Sequence, residues 1–451
     1  MTLAISESIH SVKPAHGASR WFLLLICALI TLAYLVATTD LKARETWNSF
    51  DKDIVDNLTE RVEGGQAQRQ IGFLALGAVG VYLCARASTR RFRPDFRLLF
   101  PLGLFLAWIM LSPLWSTDRE LTIKRLVVFL SVVAAIVGFW RHFRARDLVL
   151  LAFIGTSAVT AFGVVYELLA GPVQGEHGVY RFCGTMHPNH QGINAAFLML
   201  SSMALFDRWK QRRFLLIAAF ALVILMLTKS RTAMIAGMTA AAVFAGLRLP
   251  WRVTVFSGVI VASLLGLSFL LSSTGIAPGV MDALQMGRTD SDATTLTGRT
   301  DIWDAAFSLM NEDPSRWATG FAYQSFWTPA HTRFISDRVF FHISEGHSAY
   351  FDTLLELGFF GLGLYVVVLY GSALKWAWLA YTHGRAALAF LAAVLVFAVV
   401  HGLTESTTIA PNFPTFFTYA AIAAAALFKA PRTSKHVRGS PAQLPTRGDV
   451  R

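Results

Sequence analysis

Apolar runs of roughly 18–22 residues recur along the whole chain, broken by short clusters of arginine and lysine, and this spacing limits what it can fold into. A helix of that length crosses the ~30 Å hydrocarbon core of a bilayer. Composition agrees: of 451 residues 54% are hydrophobic and only 15% charged, against about 25% charged in soluble domains, and the mean hydropathy is +0.50. These features predict an all-α polytopic membrane protein.

The runs fall at about residues 21–38, 70–87, 98–114, 121–140, 148–169, 192–206, 214–227, 233–247, 253–271, 350–369, 386–403 and 415–428. The first lacks a clear small-x-small cleavage site, so it reads as an uncleaved helix rather than a signal peptide. Twelve spans would place residues 1–20 and the basic, proline-containing tail 429–451 on one side. The clusters Arg86 to Arg97, Arg141 to Arg146 and Arg208 to Arg213 would lie on that side too. Arginine and lysine mark cytoplasmic loops, so the segment 272–349 is expected outside, as a large periplasmic loop of a bacterial inner-membrane protein. Residues 40–69, with seven acidic residues, are expected on the outer side.

The net charge of +12 does not indicate nucleic acid, because it is dispersed in these loop clusters. Cys27, Cys84 and Cys183 have no CxxC or Cys/His spacing, so neither a disulfide framework nor a zinc site is expected. His187-x-x-His190 has no third ligand at helical spacing. No metal, no other cofactor and no P-loop are expected.

Chemistry is expected where cations stand on the outer side against the rule. Arg119, Lys124 and Arg125 flank the fourth run, Arg181 lies in the loop 171–191, Lys229 and Arg231 sit in a tight turn, and Arg288 and Arg299 lie in the large loop. Each can be a side chain snorkelling to head groups or a guanidinium offered to phosphate, whose oxygens its fork matches. The stretch from Thr297 to Met310 repeats apolar positions at helical spacing, with Pro314 after it. It predicts an amphipathic helix with Arg299 in its first turn. His347 precedes Asp352 and Glu356, which share a helix face. Acids at a membrane rim are costly and face polar interiors. A histidine there is either an interfacial hydrogen-bonding group or a proton acceptor near neutral pH. Arg316, Arg333 and Arg338 read as surface charges.

Taken together, several short motifs resemble one family. They are Trp115-Ser-Thr-Asp118, Arg181-x-x-Gly184 with Pro188-Asn189, Ser230-Arg231, Gly298-Arg299-x-x-x-Trp303, and His347-x-x-Tyr350 followed by Gly358-x-x-Gly361. In this order, with one large outer loop before a late span, they resemble the bacterial O-antigen ligase and polysaccharide polymerase family over about residues 98–425. The family usually has asparagine after the histidine, where this chain has Ser348.

The resemblance implies a metal-independent, inverting glycosyltransferase. Its donor would be a glycan on undecaprenyl diphosphate, and its acceptor a sugar hydroxyl on a lipid-linked repeat or on lipid A-core. It implies that Arg231 and Arg299 contact the diphosphate and that His347 orients or deprotonates the acceptor. Arg181, Asn189 and Tyr350 would bind substrate. Membrane lipids and other polysaccharide assembly proteins are the expected surroundings. Residues 298–303 and 320–327 look more like the exopolysaccharide-polymerase branch than the ligase branch. A transporter or flippase would explain the span count, but no repeated half is present. A non-catalytic assembly partner is the other alternative.

Overall fold

The computed structural model describes residues 19–39, 67–88, 90–172, 180–248, 299–339, 343, 345–406 and 412–429. The terminal tails, the acidic loop, the ninth expected span (253–271) and the first part of the large loop, with Arg288, lie outside these residues. Apart from isolated bridge residues, among them Arg93 paired with Phe428, the described residues are helical or irregular.

Among the described residues, eight α-helices precede the large loop: α1 (Arg20–Thr38), α2 (Ala67–Ala85), α3 (Phe96–Leu111), α4 (Arg119–His142), α5 (Ala145–Ala170), α6 (Pro188–Trp209), α7 (Arg213–Leu227) and α8 (Arg231–Arg248). The loop contributes α9 (Arg299–Glu312), the single turn α10 (Arg316–Thr319) and α11 (Pro329–Val339). After it come α12 (Ala349–His383), α13 (Ala386–His401) and α14 (Phe413–Leu427). Among the described residues, five helical segments are long and apolar enough to cross a membrane: α1, α3 with its following turn, α4, α5 and α12. The chain is a helical membrane protein.

Polar side chains set the helix starts. Asp118 accepts from Leu121 N (2.9 Å) to open α4, and Asn412 accepts from Thr415 N (2.9 Å) to open α14. Each satisfies a backbone donor that the first turn leaves orphaned. α13 and α14 are central. Phe390 to Leu395 are buried without a break, as are Phe413, Phe416 and Phe417, as expected of helices apolar all round.

The tenth expected span needs correction. The helix does not end near residue 369 but continues to His383, and it is bent at Gly358, whose φ is 66° and ψ −173°. In a straight helix Tyr350 and Tyr365 would stand about 22 Å apart, yet their ring centroids are 5.8 Å apart. The chain therefore folds back at Gly358, giving a short arm (349–357) beside a long arm (359–383). The long arm runs antiparallel to α3: Trp108 meets Phe360 at 4.7 Å, Phe105 meets Tyr365 at 6.2 Å, and Asp95 pairs with Lys375 at 2.7 Å. Lys375, which lies beyond the expected run 350–369, thus sits within the helix and is paired with Asp95.

This reversal leaves the last carbonyls of the short arm without helical partners, and the large loop supplies donors. Phe321 N donates to Leu355 O (2.9 Å) and Ala322 N to Glu356 O (2.8 Å), while Trp108 Nε1 donates to Leu357 O (3.0 Å). The approach is so close that a Cβ on Gly358 would lie 2.2 Å from Ala318 O, and one on Gly320 2.2 Å from the Glu356 backbone. Arg316, expected on the surface, completes the joint: it donates to Trp115 O (3.0 Å), pairs with Asp313 (3.2 Å) and covers the Phe321 ring. Above the short arm the loop forms its own small core of Ile302, Ala306, Met310, Phe326 and Ile335 against Phe351 and Leu355.

Candidate active site

Four segments meet at the end of the bundle where α5 and α13 finish and α6, α8 and α12 begin. The segment before α6 is tied to the turn before α8: Phe182 N donates to Leu227 O (2.9 Å) and Arg181 Nε to Thr228 O (3.0 Å). The turn after α13 is tied to both α8 and α6. Thr404 Oγ1 donates to Thr232 Oγ1 (3.2 Å) and Asn189 Nδ2 donates to Glu405 Oε1 (3.2 Å). The same turn holds the start of α12 through Ala349 N to Gly402 O (2.8 Å). Arg181 Nη2 donates to Asn189 Oδ1 (3.1 Å), closing the set. Arg181, Asn189, Arg231 and His347, distant in sequence, therefore lie on neighbouring segments of one polar junction.

His347 stands at its centre with φ +52°, in the left-handed region. For a non-glycine residue this costs energy and persists only where surroundings fix it. The fixing groups are visible. The Asp352 carboxylate accepts from Gly346 N (3.0 Å) and from Trp327 Nε1 (3.0 Å), and Trp303 Nε1 donates to Gly346 O (2.8 Å). Ser348 caps α12 on the other side by accepting from Phe351 N (3.4 Å). Trp303 stacks on Phe351 at 5.2 Å and also carries this contact to the histidine loop.

His347 Nδ1 lies 3.4 Å from Glu345 Oε1, without the alignment of a hydrogen bond. One donor atom each from Glu345, His347 and Glu405 lies within 4.8 Å of the others. Desolvation, reinforced by the Arg299 guanidinium, pushes the His347 pKa down to about 4. Desolvation raises Glu345 while Arg299 opposes that rise. His347 is therefore neutral at physiological pH, and Arg299 is within electrostatic reach of both groups. His187 is the N-cap of α6, its Nδ1 accepting from Asn189 N (3.2 Å). Desolvation first, then His190, Arg181 and His347, push its pKa down to about 3.

Arg231 is the first residue of α8, and Arg299 is the first described residue of α9. The start of α8 exposes N–H groups and the positive end of its macrodipole, which favour an anion. Beside Arg231, the Ser230 Oγ is buried without a hydrogen-bond partner among the described residues. Tyr350 differs. Its hydroxyl donates to Val399 O (3.1 Å) and lies 3.2 Å from Tyr370 Oη, in the packing between the short arm, the long arm and α13.

Residues 216–366 match the family model described as O-antigen ligase. The chain carries an O-antigen ligase family domain. The matched segment runs from α7 into the long arm of α12 and contains Arg231, Arg299, His347 and Tyr350, while Arg181, Asn189 and Glu405 lie outside it. No curated protein matches the chain at a significant level.

The sequence reading missed Glu405. It applied the cost of acids at a membrane rim to Asp352 and Glu356, and the same rule would have marked Glu405, four residues past the end of α13. Asp352 was singled out for its acidity, but its partners here are a backbone N–H and an indole.

Proposed function

We propose that the protein is a glycosyltransferase that polymerises glycan at the periplasmic face of a bacterial inner membrane, using a twelve-span bundle. Its donor is an undecaprenyl-diphosphate-linked glycan and its acceptor a sugar hydroxyl on a lipid-linked repeat. The observation that carries this reading is His347: a neutral, conformationally constrained imidazole beside Arg299, in the junction that also holds Arg181, Asn189 and the start of α8. A neutral imidazole can take a proton, and guanidiniums can hold a diphosphate.

In this mechanism the acceptor O–H bond breaks as its proton passes to a His347 ring nitrogen. The acceptor oxygen bonds to the anomeric carbon from the face opposite the leaving group, so configuration inverts. The carbon–oxygen bond to the diphosphate breaks, and its electron pair goes to the phosphate oxygen. Arg231 and Arg299 stabilise that developing charge, an effect that preorganised donors deliver in a site closed to water. The bound diphosphate also offsets the field of Arg299 on His347, raising the imidazole's basicity when the donor is present. The protonated imidazole then returns its proton to solvent. No metal is needed for these steps, and activity is expected to survive a chelator.

The polymerase reading rests on the resemblance of residues 298–303 and 320–327 to the exopolysaccharide-polymerase branch. A deletion strain tests it by gel profile of its polysaccharides. Loss of high-mass exopolysaccharide with capped lipopolysaccharide intact supports a polymerase. Uncapped lipid A-core would contradict it and assign a ligase.

A further inference from the structure

The turn after α13 makes three different contacts within four residues. Gly402 O accepts from Ala349 N, two residues beyond His347. Thr404 Oγ1 donates to Thr232, next to Arg231, at 3.2 Å. Glu405 Oε1 accepts from Asn189 Nδ2, whose Oδ1 accepts from Arg181. Glu405 is only 5% exposed, and its carboxylate reaches to within 4.8 Å of the donor atoms of His347 and Glu345. A turn that merely linked two spans would need no buried acid. A buried carboxylate is costly unless paired or hydrogen-bonded, so its place between the histidine and the Arg181–Asn189 pair calls for a role.

We infer that Glu405 is a positioning residue of the transfer reaction, steadying the imidazolium that His347 becomes while fixing Asn189 and, through it, Arg181. The inference rests on the glycosyltransferase reading of His347. Its logic is that of a buried carboxylate behind a catalytic histidine, which orients the ring and offsets the positive charge formed as the proton arrives. Glu405 differs from Glu345 in its setting. Glu345 shares the strained loop with His347, whereas Glu405 is delivered by a separate element, the turn after α13. The charged and titratable groups that face His347 are Glu345 on its own loop, Arg299 on α9, His187 ahead of α6, and Glu405. Among them Glu405 accepts from the Asn189 side chain, which in turn accepts from Arg181, whereas His187 accepts only from the Asn189 backbone N–H as the cap of α6.

The test uses the full chain in lipid nanodiscs, with a defined undecaprenyl-diphosphate oligosaccharide as both donor and acceptor. Glu405→Gln keeps an oxygen for Asn189 but removes the charge. It is expected to lower kcat on the order of 10²-fold with little change in KM. It should also move the acid limb of the kcat profile to lower pH, because an imidazolium with less negative charge nearby is more acidic. Glu405→Asp should restore part of the rate. Unchanged kcat and pH profile in Glu405→Gln, or a loss confined to yield of folded protein with normal kcat, would overturn the inference. Failure of the underlying reading looks different: His347→Ala would then retain activity. If His347→Ala is inactive while Glu405→Gln is fully active, only the role of Glu405 falls.

Discussion

The two ends of the helical bundle both carry buried or half-buried cations, but they use them in opposite ways. At the end where α3 begins, Lys375 Nζ donates to Asp95 (2.7 Å), Ala425 O (2.6 Å) and Phe428 O (2.9 Å), so all three of its donors are used. Arg248 pairs with Asp207 at 2.5 Å, and Arg90 donates to Trp140 O at 3.1 Å. These contacts fasten helix ends to one another. At the other end Arg231 stands at the start of α8, Arg299 acts electrostatically on His347 and Glu345, and His347 sits in a strained conformation with its Nδ1 near an acid but unaligned with it. The cations at the first end fasten helix ends, while those at the second lie around a conformationally constrained histidine.

Substitutions at the two ends should therefore separate activity from stability. The largest effect is expected at Arg299. Arg299→Gln should reduce kcat/KM on the order of 10²–10³-fold, measured with a lipid-linked donor. It should also shift the pH profile of the residual activity. Burial is the larger cause that depresses His347 to about 4, and Arg299 adds to it. Removing the cation raises the pKa toward the ordinary value of about 6.5. The base must be neutral, so the acid limb of kcat/KM should move to higher pH; an unmoved limb would separate Arg299 from His347.

Next comes the backbone that holds the histidine. A Cβ on Gly346 would lie 2.6 Å from both Asp352 Oδ1 and Phe351 Cδ1. Gly346→Ala should therefore shift the loop and cost up to about 10²-fold in kcat, with the thermal midpoint little changed. Normal activity would mean that the left-handed conformation of His347 is not required. The smallest effect on turnover belongs to the fastened end. Lys375→Ala should lower stability by about 1–3 kcal/mol, read as a reduced Tm in detergent, while activity per folded molecule stays unchanged. A loss of turnover at permissive temperature would erase the distinction between the ends.

Much of the helical framework was legible in the sequence because hydropathy over 20 residues is a strong signal. The starts and ends of α1, α7 and α13 fall within about two residues of the expected runs. Arg181, Asn189, Arg231, Arg299 and His347 were legible from short motifs, and the structure sets most of them on adjoining segments. The fold-back at Gly358 was not legible. Gly358-x-x-Gly361 inside an apolar run reads as continuous helix, and only a positive φ with carbonyls captured by Phe321 and Ala322 reveals the break. Lys375 falls past the expected run 350–369, and its partner Asp95 is 280 residues away, so nothing local in the sequence marks it as a helical, paired residue. Tyr350 shares a motif with His347, yet its hydroxyl serves helix packing, which motif spacing has no means of distinguishing. Glu405 stands in no motif, and its meaning arises only from what the fold brings beside it.

The most direct measurement of the central claim is transfer by the purified full chain in nanodiscs from a defined undecaprenyl-diphosphate oligosaccharide, with glycan length read by gel and mass. The wild-type chain should extend the glycan with inversion at the new linkage, in the presence of a chelator. His347→Ala, purified in equal amount and with an equal thermal midpoint, should give no extended product. Full extension by His347→Ala would contradict the account.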